Sequence, residues 1–556
     1  MRRLGVFGVN NPTKMGRTIQ PSDFSIAGLY GMFGRKYNRT FRLQSIQDAQ
    51  VILGRNENPN WYGWDALNGF FSNLLGQNGS IEVASYHKDA VQAEYLFDTV
   101  LNFSSAYYGE PSFGLSGNRS GFSITYRPIF TTEVLSVDDT NFVLESIAGV
   151  KVGDVLVQDT TYAKVLSIDE STNTIVSADL VVGAVEVQGY RVVTYIKAIT
   201  GAVTEVSTMD VTMNPNNRYI SDVFTENEYL AVTVVADIPL EGVVETGIQW
   251  LAGGLDGTRP TNYDNIWTMM DNVPIRIVSA VETTNPEHQM ELEAYCNNRE
   301  DNPIVFITGQ MEINNKNTLI TRGQNMQRSN EVDAIYVHNW LAVTNPFGVQ
   351  NRVVPSGGHL MGLWIRSIGL NGIHSLPARQ DTPLMGVQDV VGFQALGDLD
   401  RTDLAEAGVN VIQNSGRGIV LRNMFTLSVS PEFRFSNGLI MRNFIKASAI
   451  EALIPTENAT DAMDGVEQSR MAIIQFMLGL WNRGSNGNVP MGITFGRFLR
   501  DDGSFSTTSD AYEVIADVTN NPPSSIARGE RNIDIYFMFP SPAGSIRVGV
   551  GLIFNA

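Results

Sequence analysis

Cysteine and histidine are scarce in this chain of 556 residues. Cys296 is the single cysteine, so no disulfide can form within the chain, and the protein can mature in a reducing cytosol. The histidines are scattered, at His87, His288, His338, His359 and His374. Neither His-Glu-x-x-His nor Cys-x-x-Cys spacing occurs among them. The sequence therefore predicts no metal site.

Long apolar runs are also missing. No window holds the roughly 18 uninterrupted apolar residues of a membrane-spanning helix. The nearest, residues 472–481, is too short and is interpreted as the buried face of a helix. The start, MRRLGVFGVNNP, lacks the apolar stretch and the small-residue cleavage site of a signal peptide. We expect neither membrane insertion nor secretion.

Motifs of catalysis and of phosphate binding are absent. The chain has no G-x-x-x-x-G-K-[ST] loop and no G-x-S-x-G nucleophile elbow. Ser356, in the sequence PSGG, fits better as the cap of a helix, with Pro355 fixing φ, than as a nucleophile. Gly253 and Gly257 fit a turn with positive φ. The sequence predicts neither an enzyme nor a cofactor.

Positive charge is scarce overall, because 39 Lys and Arg face 58 Asp and Glu, for a net charge of −19. DNA and anionic membranes select Lys and Arg, so we expect no direct nucleic-acid partner. Residues 1–42 nevertheless carry eight basic residues against Asp23, a net of +7, whereas residues 131–257 carry nineteen acidic and five basic residues, a net of −14. This asymmetry favours head-to-body binding between like subunits. A merely solvated basic terminus is the alternative.

The length allows roughly three or four domains of about 150 residues, and the 43% apolar composition is enough for real cores. We divide the chain into an N-terminal arm (1–22), an N-terminal part of the core (23–104), an inserted β-rich outer domain (105–249), an α/β domain (250–403), a C-terminal core domain (404–544) and a C-terminal strand arm (545–556).

Two sequence patterns support this division. Short alternating strands such as TEVLSV, NFVLESI and YAKVLSI fill the inserted domain. After Trp250, strands IRIVSAV, IVFITG and AIYVHNWLAV alternate with helices, one of them capped by Asn285 with Pro286 at its first position. Such alternation predicts a parallel sheet with helices on its faces.

After Leu404 the pattern predicts two strands, two long helices near 434–454 and 461–482, and three final strands. One face of the second helix is apolar, with Val466, Ile473, Met477 and Trp481 on it and Ile474 and Leu480 beside it. The last strand, SIRVGVGLIF, ends close to the end of the sequence. A terminal strand of this kind can pair with the sheet edge of another subunit.

Two segments carry an ordered set of motifs. NRVVPSGGHLMGLWIRSIGLNGIHSLPAR (residues 351–379) has a P-S-G helix start and a G-x-x-x-x-P-A exit. LAEAGVNVIQNSGRGIVLRNMFTLSVSPEFRFSNGLIMRNFIKASA (residues 404–449) has G-V-N and G-R-G-I strands and an S-x-P-E-x-R-F helix start. The set resembles the contractile tail sheath proteins, over residues 24–104 and 250–556. The departure is VVPSGGHLMG, where many members have a doubled proline and one glycine.

The resemblance implies an α/β fold, α+β overall. Its parts would be a parallel-sheet α/β core resembling a subtilisin-like domain, a C-terminal α+β core domain, an inserted all-β domain, and extended N- and C-terminal arms. It also implies a structural role without catalysis. Subunits would stack as hexameric rings around a tail tube and contract from a metastable extended state.

The resemblance further implies self-assembly and contacts with the tail tube, baseplate and tail terminator proteins, in a virion assembled in the bacterial cytoplasm. The arms would join the sheets of neighbouring subunits. Their candidate residues are Arg2, Arg3, Lys14, Arg17, Ile546, Val548, Val550, Leu552 and Phe554. The helix near 461–482, or the Gly-rich loop after it, would face the tube, with candidate contacts at Asp464, Arg470 and Arg483.

Two other classes remain as alternatives. A tube or capsid subunit is one, but a tube subunit is usually shorter and all-β, unlike residues 250–400. A hydrolase on a subtilisin-like sheet is the other, and the missing Asp/His/Ser constellation counts against it. Whether the sheath would serve a phage, a bacteriocin or a secretion-type injector stays open at this point.

Overall fold

The fold is described from a computed structural model of the chain. It covers residues 23–33, 38–53, 61–108, 120–138, 140–158, 161–177, 184–197, 203–212, 214–225, 230–236, 244–255, 257–311, 313–329, 332–344, 351–378, 382–394, 397–431, 433–453, 463–485, 507–530 and 532–538, together with positions 19, 502 and 504. The predicted arms, 1–22 and 545–556, lie almost wholly outside these residues.

Strands and helices alternate along most of the described chain. The strands are β1 Ile26–Gly31, β2 Arg39–Leu43, β3 Ser80–Ser85, β4 Gln92–Phe97, β5 Leu101–Tyr108, β6 Ser120–Asp138, β7 Asn141–Leu144, β8 Val155–Gln158, β9 Thr161–Asp169, β10 Thr174–Ser177, β11 Ala184–Lys197, β12 Val203–Val211, β13 Leu230–Val234, β14 Val244–Glu245, β15 Gln249–Trp250, β16 Ile277–Ala280, β17 Ile304–Thr308, β18 Ala334–Val337, β19 Trp340–Val343, β20 Arg352–Pro355, β21 Val387–Val391, β22 Val409–Asn410, β23 Ile412–Asn414, β24 Ile419–Leu421, β25 Tyr512–Ile515 and β26 Asp534–Phe537. The helices are α1 Ile46–Leu53, α2 Gly63–Leu74, α3 Ile220–Thr225, α4 Asp264–Trp267, α5 Pro286–Asn297, α6 Lys316–Met326, α7 Gly357–Asn371, α8 Asp398–Glu406, α9 Ser436–Leu453, α10 Met463–Ser485, α11 Thr508–Ala511 and α12 Pro523–Ala527.

A seven-stranded sheet forms the centre of the molecule, in the order β2-β3-β1-β16-β17-β18-β22. All pairings are parallel except that of β2 with β3. Strands buried on both faces read as continuous apolar runs, and β17 (IVFIT) is buried along its whole length. The predicted parallel sheet with helices on its faces is confirmed, as is the cap of α5, where the Asn285 side chain accepts the Glu287 N–H.

Helices cover both faces of this sheet. One face packs against α2 and α7, in a large core that extends to α9 and α10 and contains Trp64, Phe306 and Trp364. The other face packs against α4, α5, α6 and α8, in a core that contains Trp267 and Leu292. The result is a three-layer α/β/α arrangement, in which each amphipathic helix buries its apolar stripe on the sheet.

The predicted strand AIYVHNWLAV is two strands. β18 pairs with β17 and β22 in the central sheet, whereas β19 pairs with β20 and β21 in a separate three-stranded sheet. The chain changes sheet at His338 and Asn339, both fully buried. The Asn339 side chain accepts the Ile412 N–H at 2.7 Å and donates to the Phe393 carbonyl at 2.8 Å. The break falls at the only two polar side chains between the apolar halves of this segment, and both halves are buried, so apolar composition does not separate the two strands.

Polar contacts attach α9 to the amino ends of the central strands. Arg442 lies 3.1 Å from the buried carboxylate of Asp333, which precedes β18. The Asn443 amide donates to the Asn302 carbonyl, before β17, at 2.6 Å. Because a buried carboxylate without a partner would be costly, Arg442 fixes α9 at this position beneath the sheet.

The inserted β region forms two packed clusters. The first joins β4, β5 and β13 with part of β6 and contains Phe103 and Phe122, stacked at 3.7 Å. The second contains Phe142, Leu156 and Ile175 from β7, β8 and β10. The long strands β6 and β11 pair along both clusters, and the alternating burial of β7 and β10 is typical of half-exposed strands.

Two paired segments form the base of this region. Backbone hydrogen bonds join Lys88 with Thr258 in both directions, at 3.1 and 2.8 Å. Further bridges join Val91 with Leu255 and Glu94 with Ala252. We name residues 88–258 the β module. The boundary predicted at residue 105 falls within β5, a strand of the first cluster. The predicted domain limits stay a prediction.

Candidate functional site

The motif that begins α7 places glycines against α2. A Cβ atom added at Gly358 would lie 2.5 Å from the Cα of Ala66, and one at Gly362 would lie 3.0 Å from the Cβ of Asn73. Ordinary contact begins near 3.4 Å. Only residues without a Cβ allow this close approach of two helix backbones. The P-S-G-G signature therefore encodes a helix crossing.

Ser356 occupies the N-cap position of α7, but its side chain does not cap the helix. The hydroxyl is fully buried and finds no hydrogen-bond partner among the described residues. The prediction that Ser356 caps this helix by its side chain is therefore wrong, because the residue has helical φ and ψ values of −76° and −14°. An N-cap whose side chain accepts the helix N–H groups is instead usually extended.

A buried carboxylate fills the crevice at the carboxyl ends of β1 and β16. The helices after these two strands lie on opposite faces of the sheet, so this is the switch point at which open α/β sheets usually bind ligands. Here Glu282 accepts the Tyr62 and Gly63 N–H groups, at 2.6 and 2.9 Å, and thereby caps α2. Arg259 donates to the same carboxylate at 3.0 Å.

Burial has the largest effect on the pKa values of the two carboxyl groups at this crevice. Burial raises the pKa of the Glu282 carboxyl, although Arg259 and the two N–H groups act in the opposite direction. Burial also raises the pKa of Asp65, in the first turn of α2, to about 6, despite Arg352 at 3.2 Å. The negative charges lie at the positive end of the α2 dipole. The arrangement holds α2, β20 and the base of the β module together.

The histidines do not form a site. His359 is buried against Gly69 of α2, and His338 is buried at the end of β18. Burial lowers the pKa of each imidazole to about 4, so both are neutral at pH 7. No group of three or more His, Cys, Asp or Glu side chains in the described part of the chain is arranged to hold a metal ion.

A small antiparallel sheet, β25 and β26, lies on the C-terminal core. Its inner face, with Val514 buried and Ile535 and Phe537 partly buried, packs against the core that includes α10. Its outer face leaves Tyr536 and Met538 exposed, at 58% and 46%. Within the described residues each strand pairs only with the other, so the outer edges carry backbone groups that a further strand could bind.

The predicted apolar face of α10 is confirmed for Val466, Ile473 and Met477, which are buried, and for the adjacent Leu480, whereas Trp481 and Ile474 are only half-buried. The opposite face exposes the uncharged side chains of Met471 and Gln475. Glu467, whose side chain is 56% exposed, lies one turn before Met471, so this face carries charge as well as uncharged side chains. It could bind a partner by hydrogen bonds and ion pairs.

The candidate tube contacts can be placed only in part. Arg470, on α10, pairs with Glu467 at 3.0 Å and donates its Nε–H to the Val514 carbonyl at 3.2 Å. The side chains of Asp464 and Arg483 lie outside the described residues, although both positions are within α10. The tube contacts therefore stay a prediction.

All of the candidate arm residues fall outside the part of the chain that the structure describes. These are Arg2, Arg3, Lys14, Arg17, Ile546, Val548, Val550, Leu552 and Phe554. The sequence did not point to Glu282 or Arg259, because single charged residues in loops carry no pattern. Nor did it reveal the Arg470–Val514 contact, which joins residues 44 positions apart.

These observations define a mixed α/β protein with internal packing at its sheet crevice and a small two-stranded sheet, β25 and β26, on its C-terminal core. No protein-family model and no curated protein matches the sequence. Solved structures do match. The sheath tail protein of Desulfitobacterium hafniense aligns over 90% of this chain and 91% of its own, with 11% identity and a TM-score of 0.52.

Two further structures agree. The sheath tail protein of Listeria innocua aligns over 94% of this chain and 96% of its own, with 11% identity and a TM-score of 0.52. The anti-feeding prophage helical sheath in its contracted state aligns over 99% of both chains, with 10% identity and a TM-score of 0.51. The chain therefore has the fold of contractile tail sheath proteins, and the resemblance predicted from its motifs is confirmed at the level of the fold. No helix of the described residues has the length and apolarity to span a membrane.

Proposed function

We propose that this protein is the structural subunit of a contractile tail sheath. The observation that carries the proposal is the alignment of 99% of the chain with 99% of a sheath subunit from a contracted helical assembly. A match over both whole chains supports a likeness that is not limited to the α/β core. Fold alone does not fix function, so the sheath-like motifs between residues 351 and 449 are the second support.

In this proposal the subunits form stacked hexameric rings around a tail tube. Each ring contacts the next through a heterologous interface, which generates a helix because it does not close. The extended sheath is metastable, and a kinetic barrier delays contraction. Contraction then drives the tube through the host envelope for genome delivery.

The arms link the subunits. Residues 1–22 and 545–556 of neighbouring subunits add strands to the sheet of a host subunit. Strand addition satisfies backbone donors and acceptors with little dependence on side chains. At roughly 1 kcal/mol for each net hydrogen bond, and about four bonds for each arm, two arms hold a subunit by several kcal/mol. That is enough to keep subunits joined during contraction.

Charge guides this association. The arm residues Arg2, Arg3, Lys14 and Arg17 are basic, and residues 131–257 of the neighbouring copy carry a net charge of −14. Opposite charges on the two surfaces raise the association rate and select the register. We expect the β module to lie on the outer surface of the sheath, because a large acidic domain has more space there than at the crowded inner radius.

The tube partner would bind the side of the subunit that carries α10. The exposed face around Glu467, Met471 and Gln475 is the candidate surface, together with the sequence positions Asp464, Arg470 and Arg483. Charge reversal at Asp464 or Arg483 should weaken co-assembly with tube and leave tube-free polymers unchanged. An equal effect on both would place the contact elsewhere. Baseplate and tail terminator proteins would cap the two ends of the assembly.

The direct test is microscopy of the purified protein at high concentration in neutral buffer. We expect hollow striated tubes, because the contracted form should be the free-energy minimum. Persistent monomers with hydrolytic activity would refute the proposal and favour the alternative of a hydrolase. Closed shells, or thin all-β tubes, would favour a capsid or tube subunit.

The arms have a test of their own. Deletion of residues 545–556 should leave a folded monomer that forms no sheath at any salt concentration. Replacement of the four basic arm residues by Gln should weaken assembly mainly at low salt, since salt screens exposed charges beyond about 10 Å at 0.1 M. Normal tubes from the truncated chain would refute the proposed linkage.

A free injection particle is a second candidate setting for the same subunit. The likeness to the anti-feeding prophage sheath supports it, and the likeness to two sheath tail proteins fits a phage virion equally well. Microscopy of the native particle decides between them, because a phage carries a DNA-filled capsid and an injector carries none.

A further inference from the structure

In the β25–β26 sheet, the residue pairs that exchange backbone hydrogen bonds can be told from those that do not. The Met538 N–H donates to the Ala511 carbonyl at 2.8 Å, in the same register as the rest of the pair. Hydrogen-bonded and non-hydrogen-bonded pairs alternate along an antiparallel ladder. Glu513 and Tyr536, two residues further on, are therefore the next hydrogen-bonded pair. The residues between them direct their N–H and C=O groups away from the partner strand.

On β25, two of these outward groups are already occupied. The Tyr512 N–H donates to the Thr508 carbonyl of α11. The Val514 carbonyl accepts the Nε–H of Arg470 from α10, at 3.2 Å. Glu467, one turn earlier on α10, holds the same guanidinium at 3.0 Å. An incoming strand on this edge would have to displace both contacts.

The outer edge of β26 is different. Its outward groups belong to Ile535 and Phe537, and within the described residues both pair only with β25. Their side chains lie on the inner face, against the core, so a strand added here would extend a sheet face that is already apolar. The two edges of the small sheet are therefore not equivalent.

We propose that Arg470 closes the β25 edge, so that the C-terminal arm of a second copy pairs with this sheet at β26 and not at β25. This inference rests on the proposed sheath function and names the accepting edge. Arg470 is then a positioning residue for assembly and acts through the Val514 carbonyl. A sheet with one closed edge can add a strand only at its other edge. Native sheets protect their edges in such ways and thereby avoid uncontrolled pairing with other chains.

Residues 545–556 of the second copy are the occupant that fits this edge. Their alternating apolar residues, from Ile546 to Phe554, would continue the inner face of β26. The intervening position Arg547 would then lie on the outer face, where Asp534 and Glu513 supply opposite charge. The apolar pattern and the charge of residues 545–556 thus favour the same orientation of the added strand, with its alternating apolar side chains on the inner face and Arg547 on the outer face.

Disulfide trapping between two variants, each with one introduced cysteine, tests the edge. The acceptor copy carries Tyr536→Cys or, as the matched control, Glu513→Cys on the neighbouring strand. The donor copy carries one cysteine at an outer-face position, chosen from Arg547, Gly549, Gly551 and Ile553. Cys296 is buried and provides an unreactive background. Acceptor and donor copies are assembled together, oxidised, and separated on a non-reducing gel.

We expect Tyr536→Cys to form dimers with at least one donor and Glu513→Cys to form none. Adjacent strands lie about 5 Å apart and next-nearest strands about 10 Å apart, and a disulfide needs Cβ atoms within roughly 4.5 Å. Arg470→Met, which keeps the packing and removes the donor, should then raise the Glu513→Cys dimer yield about fivefold, corresponding to one net hydrogen bond. Arg470→Lys keeps a donor and should hold that yield low.

Three results would overturn the inference. With Arg470 intact, Glu513→Cys could form dimers at the same yield as Tyr536→Cys, or polymers could form that give no dimer from either acceptor. The third is a Glu513→Cys dimer yield that does not change with Arg470→Met. Microscopy of the unoxidised mixture separates this failure from that of the proposed function. If no polymer forms there, the sheath assignment fails and the inference fails with it. If polymers form without the expected disulfides, only the inference fails.

Discussion

Replacement of Gly358 by alanine is the sharpest test of the packing between α2 and α7. The added Cβ would lie 2.5 Å from the Cα of Ala66, and ordinary contact begins near 3.4 Å, so the helices would have to separate by about 1 Å. Both helices are held on the sheet by large buried side chains, among them Trp64 and Trp364. Backbone atoms cannot rotate away as a side chain can, so the whole crossing must open.

The expected cost follows from this geometry. Overpacking of a tight core costs about 1–3 kcal/mol, and a backbone clash belongs at the upper end of that range. The gain in helix propensity from glycine to alanine returns at most about 1 kcal/mol. We therefore expect Gly358→Ala to lose about 2 kcal/mol of stability. The urea dependence of the unfolding free energy grows with the surface exposed, so for a unit of this size we take about 4 kcal/mol/M rather than the value of a small protein. The unfolding midpoint should then fall by about 0.5 M.

The assay is urea unfolding followed by tryptophan fluorescence, since Trp64 and Trp364 lie in this helix pair. Gly479→Ala is the matched control, because Gly479 lies on the exposed face of α10 with no atom within 4 Å of an added Cβ. That variant should gain about 0.5–1 kcal/mol. An unchanged or higher midpoint for Gly358→Ala would refute the close crossing and the explanation of the glycine motif.

Two further predictions concern the crevice and the β module. Asp65 has a pKa of about 6 in the folded state against 3.8 ordinarily, so the folded state binds more protons between these values and its stability should fall as pH rises from about 4 to about 6. Asp65→Asn should flatten that slope in pH-dependent urea unfolding, and an unchanged slope would exclude Asp65 as its source. Replacing residues 89–257 by a short Gly/Ser turn should leave a folded core, because Lys88 and Thr258 are already hydrogen-bonded neighbours. Excising residues 105–249 instead should expose the cluster around β5, and circular dichroism and light scattering should show that chain to aggregate more than the first.

Much of the α/β core could be predicted from the sequence, because its signals are local. The cap at Asn285 and Pro286 is a matter of neighbouring residues and appears in the structure at the expected place. The apolar spacing of Val466, Ile473 and Met477 fixes the buried face of α10, since the helix period is the same in any protein. The order of sheath-like motifs pointed to the fold for a related reason.

What only the tertiary structure decided depends on groups that are distant along the chain. The glycines of α7 are explained by the backbone of α2, almost 300 residues earlier, and not by the start of their own helix. Glu282 becomes the cap of α2 only when β1 and β16 lie side by side. The edge of β25 is closed by Arg470 from another element. Local pattern specifies what a segment can form, whereas close approach, burial of charge and the closing of strand edges arise only when folding brings separate segments into contact.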